Sequence, residues 1–465
     1  MVRAARNPTQ LGPPRAAGCI VKAAEVRIPR ARLWVAAATV IVGAAILWLS
    51  RGFNFYFDEW AFILPSDSSW TYYLQPHNEH PTMLPRLIYA ALLNTIGMRS
   101  YLPYMTVLLL LHAASVVLLF EVVRRRAGDL VAIGASFLLL GLGAGWENLL
   151  WAFQIAFVGS VACGLGALLF IETGSDRMWL AMILLFGSLM FSGIGLFFLV
   201  AAAIRLALTP ARRMELVWLA PVALALGAWY LAYGHAGAPP KPVSLAANLE
   251  VLPLYVLWGL GASVAGLIGE GGLFGPAVLL LALATIGFTW LRRRPDPFAI
   301  GIAAAMIAFY VVLGLNRAQI GFEQSGAGRY VYEGAVFWLL LLADAARDLP
   351  WRGTWRPALI ACLFLACFSS SALLYTWAAA KTEQMHREAA DLQALAVERA
   401  DPCLDPTASV DPLVMPLVTS PPAYYHAVDR YGDPVAGMPA IRDAEFERAG
   451  ENLVKPGCVR PPESL

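Results

Sequence analysis

Two adjacent carboxylates, Asp58 and Glu59, sit inside an aromatic stretch, FNFYFDEWAFI at residues 53–63. Neighbouring residues point in different directions on a helix or strand. The pair therefore reads as a division of labour, one acid facing a cavity and the other binding a loop donor or a cation. The rings of Phe53, Phe55, Tyr56, Phe57 and Trp60 limit water, and desolvation raises a carboxylate pKa toward that of a useful general base. The competing reading is an interfacial aromatic belt carrying two solvated acids.

Three further stretches carry polar chemistry. HNEH offers His77 and His80 three residues apart, with Glu79 between them. On a helix that spacing supplies two metal ligands, but Pro76 and Pro81 bracket it and favour a turn. The turn reads as a hydrogen-bonded loop, or as a site that binds sugar hydroxyls or positions Asp58. WENLLWAFQ places Glu147, Asn148 and Gln154 between tryptophans that suit a membrane interface. GAGRYVYE sets Arg329 and Tyr330 directly before an apolar run, with Arg317 upstream. An arginine at a helix mouth can clamp phosphate with its forked donors, and Gly326 and Gly328 would let backbone approach a ligand. The alternative is a snorkelling side chain at a lipid headgroup. No cofactor is required by these patterns; Glu59, His77, Glu79 and His80 are the residues that could hold a divalent cation.

These residues need a scaffold, and composition names its class. Of 465 residues 59% are hydrophobic and 14% charged, against roughly 25% charge in soluble domains. Long apolar runs recur, so the expected fold is an all-α polytopic membrane protein. Eleven spans are expected, at 33–50, 101–123, 130–145, 155–171, 178–191, 194–208, 216–233, 273–291, 298–315, 334–349 and 357–377. Residues 1–32 form a basic leader without a clear cleavage site, and the first run reads as a retained helix. This threading places the basic clusters at 124–126, 212–213 and 292–294, with Arg347, Arg352 and Arg356, on the cytoplasmic side with the N-terminus. Two leftover apolar segments, 83–97 and 251–268, read as interfacial or re-entrant helices on the outer side. No basic stripe with interleaved aromatics is present, so nucleic acid is not an expected partner.

The expected organisation is a leader (1–32), a transmembrane domain (33–377, with its first outer loop at 51–100) and an extracytoplasmic C-terminal cap (378–465). The cap carries eight Lys/Arg and fourteen Asp/Glu, a net charge of −6 opposite in sign to the cytoplasmic loops. Its Cys403 and Cys458 could pair if the cap lies outside. Almost all unusual polar residues fall on outer loops, which suggests one outward-facing cavity.

The acidic pair after the first span, the interfacial segment that follows it and the late outer-loop arginine resemble the GT-C superfamily of integral-membrane glycosyltransferases. HNEHPTMLPRLIY, WENLLWAFQI and GRYVYEGAV are similar to stretches of bacterial, often actinobacterial, membrane proteins assigned to that superfamily. The resemblance covers residues 33–377. It implies a multi-pass protein of the cell's inner membrane that uses a polyprenyl-phosphate-linked sugar donor and a glycan, lipid or protein acceptor. It implies Asp58 as general base, inversion at the anomeric carbon, and Arg329, with Arg317 or Lys241, stabilising the departing phosphate. A transporter or flippase, and a non-catalytic envelope assembly protein, are the rival readings. No internal repeat supports the first, and most charges sit at span ends.

Overall fold

The computed structural model describes residues 25–65, 69–237, 244–270, 274–349, 355–412, 415–418, 420–436, 438 and 441–459. Every stretch expected to span is helical. The first apolar run is α1 (Ala31–Leu49). The loop after it folds into α2 (Trp60–Ile63), α3 (Trp70–Leu74), a short hairpin pairing Pro76 with Pro81 and His77 with His80, and α4 (Met83–Thr95). The HNEH segment is thus a turn.

α5 (Leu102–Leu140) is two helices joined at Gly128, whose φ of 81° lies in the left-handed region. Glycine enters that region without a Cβ penalty. The chain reverses there, because His112 Nε2 lies 3.2 Å from the carbonyl oxygen of Leu140. The expected spans 101–123 and 130–145 therefore form an antiparallel hairpin. After α6 (Glu147–Leu150), α7 (Ile155–Thr173) runs through the centre of the bundle. In the most apolar 18-residue stretch of Ala152–Thr173, 89% of the residues are buried inside the protein, whereas in the corresponding stretches of Pro210–Ala232 and Trp355–Glu398 only 11% are. Small residues permit that crowding: a Cβ on Gly164 would stand 2.3 Å from the Phe198 ring.

α8 (Met178–Phe191) and α9 (Gly195–Ala207) break apart at Ser192, which is extended, and this realises the expected hairpin. α10 (Ala220–Ala232), α11 (Leu245–Gly266), α12 (Gly275–Arg292), α13 (Pro297–Arg317), α14 (Gly328–Ala346) and α15 (Trp355–Glu398) follow. Among the described residues, eight helical segments are long and apolar enough to cross a membrane. This differs from eleven for physical reasons. α5 holds two expected spans in one segment. α8 and α9 have 14 and 13 residues, about 20 Å each at 1.5 Å per residue. α14 carries Arg329, Glu333 and Asp344. α11 adds one. Leu33, Trp34, Ile41, Leu224, Leu280, Phe288 and Phe364 are large exposed apolar side chains on these helices, as a lipid-facing surface requires. The chain is an all-α polytopic membrane protein.

The bundle has two chemically distinct ends. At one, Arg126 pairs with Glu172 (2.6 Å) and Asp296 (3.1 Å), Arg205 with Glu172 (2.7 Å) and Arg293 with Asp344 (2.7 Å). The opposite end carries the candidate site. α11, by composition, could cross between them. Its contacts keep it at the site end. Near its start, the Asn248 amide donates to the Leu315 carbonyl (2.7 Å) and its Oδ1 accepts from Gln319 N–H (2.6 Å). Near its finish, Gly266 lies against Ala144 and Val331. Leu315, Gln319, Ala144 and Val331 all flank site residues, so both ends of α11 lie at that end of the bundle.

α15 is 44 residues long and runs without interruption through position 378, so no linker separates the bundle from the cap. Its last turns join α16 (Pro421–Tyr431) and α17 (Ala444–Leu453). Cys403 and Cys458 form a disulfide beside a Leu404–Val454 bridge. The cap docks on the first loop, where Met98 N–H donates to the Tyr431 carbonyl (2.8 Å) and Trp60 meets the Tyr424 ring edge-on.

Candidate functional site

The FDEW turn separates its two acids. Phe57 has φ 50°, unusual for a residue with a side chain. Such strain persists where surrounding contacts over-determine it, commonly at functional sites. Here Glu59 is the anchor. Its carboxylate accepts from Tyr56 N–H (2.8 Å), Tyr89 OH (2.6 Å) and Tyr101 OH (3.0 Å), and it is fully buried. Tyr101 OH in turn accepts from Ala152 N–H (2.9 Å), tying the turn to the entry of α7. Burial pushes the Glu59 carboxyl up to about 7, against the pull of these hydrogen bonds and the Lys381 charge. Glu59 has no open face, and its position is that of an anchor for the turn.

Asp58 points the other way. Its side chain is 22% exposed, with Oδ1 3.7 Å from His77 Nε2. That nitrogen is buried and has no hydrogen-bond partner among the described residues. Phe62 and Phe153 hold the His77 ring edge-on. Asp58 is therefore an accessible carboxylate beside a histidine fixed by aromatic packing.

The late arginines arrive from α13 and α14, each carrying a carboxylate partner. Arg329 donates through its backbone N–H and its guanidinium to the two oxygens of Glu147, both at 2.8 Å. The charges of both Glu147 and Asp58 act on that guanidinium. Arg317, nearly buried, donates to Glu79 (2.7 Å) and to Tyr330 OH (3.0 Å). The Arg329 guanidinium also lies 5.2 Å from the Tyr330 ring centre. Burial pushes the His80 imidazole down to about 4, with the Arg317 and His77 charges adding to that and Glu79 opposing it. His80 is thus neutral near pH 7.

Asn148 and Gln154 lie deeper. Asn148 donates to Glu333 (3.1 Å). Buried Asn148 Oδ1, Gln154 Oε1, Trp151 Nε1 and Glu333 Oε2 have no partner among the described residues. Such atoms are costly when dry, and polar ligand groups or water would satisfy them.

The structure joins nearly all the sequence-derived residues. Asp58 meets His77, Arg317 meets both Glu79 and Tyr330, and Glu147 meets Arg329. His235 lies elsewhere, on an exposed loop against the Tyr230 carbonyl, and Lys241 lies outside the described residues. Among the described residues, no group of three or more His, Cys, Asp or Glu side chains is arranged to hold a metal ion. Glu59, His77, Glu79 and His80 do not converge, because Glu59 turns into its tyrosine cage. No step is therefore assigned to a divalent cation.

Three residues were missed: Lys381 and Glu388 on α15, and Glu333 on α14. Lys381 Nζ stands 3.2 Å from the Tyr56 ring centre, and Glu388 Oε1 accepts from Trp60 Nε1 (3.2 Å). Their spacing of seven, with Met385 between them contacting Asn54 N–H, marks one face of a helix. That pattern was the available signal.

Comparison with family models, curated proteins and solved structures finds no match to the chain. The class rests on the fold itself, a multi-pass membrane protein with one polar mouth beneath a disulfide-bonded cap.

Proposed function

We propose that the chain is a membrane glycosyltransferase of the GT-C kind, moving a sugar from a polyprenyl-phosphate donor to a hydroxyl of an envelope glycan, lipid or protein. The observation that carries this reading is an accessible Asp58 beside the fixed His77 ring, at the same end of the bundle as the Arg329–Glu147 fork. A lipid-phosphate donor must bring its reacting carbon to the membrane surface, which is where such a base would be needed.

In this reading Asp58 takes the acceptor hydroxyl proton as that oxygen attacks the anomeric carbon. The bond from that carbon to the phosphate oxygen breaks, and the electron pair leaves with polyprenyl phosphate. The configuration inverts. Arg329 exchanges part of its hold on Glu147 for the departing phosphate, a charge-assisted contact. The unsatisfied Asn148, Gln154 and Trp151 atoms receive sugar hydroxyls.

The site faces outward in this proposal, in the inner membrane of a cell. The arginine-rich end would be cytoplasmic by the positive-inside rule, and the Cys403–Cys458 pair suits an oxidising compartment. The test is transfer from a radiolabelled polyprenyl-phosphate sugar in membranes carrying wild-type protein or Asp58→Asn. Loss of about 10²–10⁴-fold in rate with normal expression is expected for removal of a general base. Wild-type transfer by the variant would remove Asp58 from the chemistry.

A further inference from the structure

The far end of the bundle holds a second polar site. A cavity of about 270 Å³ opens there, with Arg125, Arg126 and Arg347 facing Glu172 and Asp296. It is smaller than the roughly 300–1,000 Å³ that takes drug-sized ligands, and suits a headgroup-sized anion.

The charges around it do not cancel. Arg126 shares Glu172 and Asp296 with its neighbours, while its guanidinium stacks 4.0 Å over the Phe298 ring. Arg205 takes the other Glu172 oxygen. Among the described residues Arg347 has looser ion pairs, 3.5 Å to Asp344 and 3.5 Å to Asp348, acids that also serve Arg293. Arg125 is exposed and has no ion pair among the described residues. Five arginines (125, 126, 205, 293, 347) thus meet four acids (172, 296, 344, 348). Buried Arg126 Nε and Arg293 Nη1 have no hydrogen-bond partner among the described residues as well. Val122 of α5 and Leu169 of α7 complete the lining beside the guanidiniums. A lining that mixes guanidiniums with aliphatic side chains suits a phosphate attached to a hydrocarbon. Basic pockets between membrane helices hold anionic headgroups by the same physics.

We propose that this cavity binds a phosphate group, with Arg125 and Arg347 as its ligands, separate from the site at the opposite end. The phosphate can belong to an anionic lipid or be free in solution, and the experiment separates these sources. Purified full-length protein is reconstituted in phosphatidylcholine nanodiscs with or without phosphatidylglycerol, and the lipid retained after extraction is measured. In parallel, inorganic phosphate is titrated in a neutral detergent and the thermal midpoint followed. The variants are Arg125→Gln and Arg347→Gln. Arg125 makes no ion pair, so Arg125→Gln should melt like wild type without ligand.

Retention of phosphatidylglycerol that weakens about tenfold or more in the variants supports a lipid phosphate. A phosphate-induced shift lost in the variants, without lipid retention, supports a free phosphate. Binding of neither probe, or binding indifferent to both substitutions, overturns the site.

Discussion

Arg329 and Glu147 form a closed fork: backbone N–H to one carboxylate oxygen and guanidinium N–H to the other, both at 2.8 Å. The geometry aims the start of α14 at the loop carrying Glu147 and leaves the guanidinium 28% exposed. A phosphate that arrives competes with one carboxylate for donors already in place. Arg329→Ala is therefore expected to raise KM for the lipid-phosphate donor about tenfold or more, with a much smaller change for the acceptor. Arg329→Lys restores charge without the fork and should recover only part of the loss. Steady-state kinetics with each substrate varied in turn checks this, and an equal rise in both KM values would argue against a phosphate contact.

Glu59 gives a pH signature. Its folded carboxyl titrates near 7, above the 4.5 of the free side chain, because burial disfavours its charge. Between those values the folded protein holds the proton and the unfolded chain does not. Its contribution to stability is thus fully present below about pH 4.5 and declines as pH rises through 7. In Glu59→Gln that decline disappears, because the amide is neutral at every pH in this range. Thermal melts of wild type and variant across this pH range test it. Parallel curves would mean that other groups govern the slope.

The cap disulfide closes a loop with 55 residues of separation. Paired Cys403→Ser and Cys458→Ser substitution should destabilise the cap by about 2–4 kcal/mol. Limited proteolysis of the purified protein, with and without a reductant, should release fragments beyond α15 sooner in both cases. Unchanged protection would show that α16 and α17 are held by packing alone.

Much of this arrangement was legible before folding. The acidic pair had to diverge, and Gly128 follows the arginines where the 101–145 run reverses. Arg329 and Glu147 each announced themselves as charges beside aromatic or apolar runs. What sequence could not supply was pairing across the chain. Glu147 and Arg329 are 182 residues apart, and nothing local in either segment specifies the other. From the residues alone the roles of Asp58 and Glu59 were interchangeable, and only the resemblance named Asp58; Tyr89 and Tyr101 make Glu59 the buried partner. α15 was divided at 377 because hydropathy falls there, although helix propensity does not. That division hid the fact that the cap delivers side chains to the mouth.

Orientation in the cell is testable through positions at the two ends. Arg125→Cys at the arginine-rich end and His235→Cys on the opposite loop are both exposed. In intact cells a membrane-impermeant maleimide should label position 235 and spare position 125 until the membrane is permeabilised. Cys19, Cys163, Cys362 and Cys367, which lie outside the disulfide, are replaced first to clear the background. Labelling of position 125 alone would invert the proposed orientation and place the polar mouth in the cytoplasm.

Lys381 makes the cap part of the site. Its Nζ is 3.2 Å from the centre of the Tyr56 ring and 3.2 Å from Gln384 Oε1, and burial pushes its pKa down to about 7 against the opposing Glu59, Glu388 and Glu147 charges, so that below that pH it is a cation. Tyr56 precedes the strained Phe57, so the contact bears directly on the turn that aims Asp58. A desolvated cation over a ring is worth about 2 kcal/mol, enough to hold one residue in an unfavourable backbone region. Lys381→Met keeps the length and apolar stem but removes the charge. It should lower kcat about tenfold while leaving donor KM nearly unchanged, because Asp58 loses its aim and Arg329 does not. Lys381→Arg should restore most of the rate. If Lys381→Met instead raised donor KM at constant kcat, Lys381 would be acting on the phosphate itself, and the turn would be held by Glu59 and its tyrosines without help from the cap.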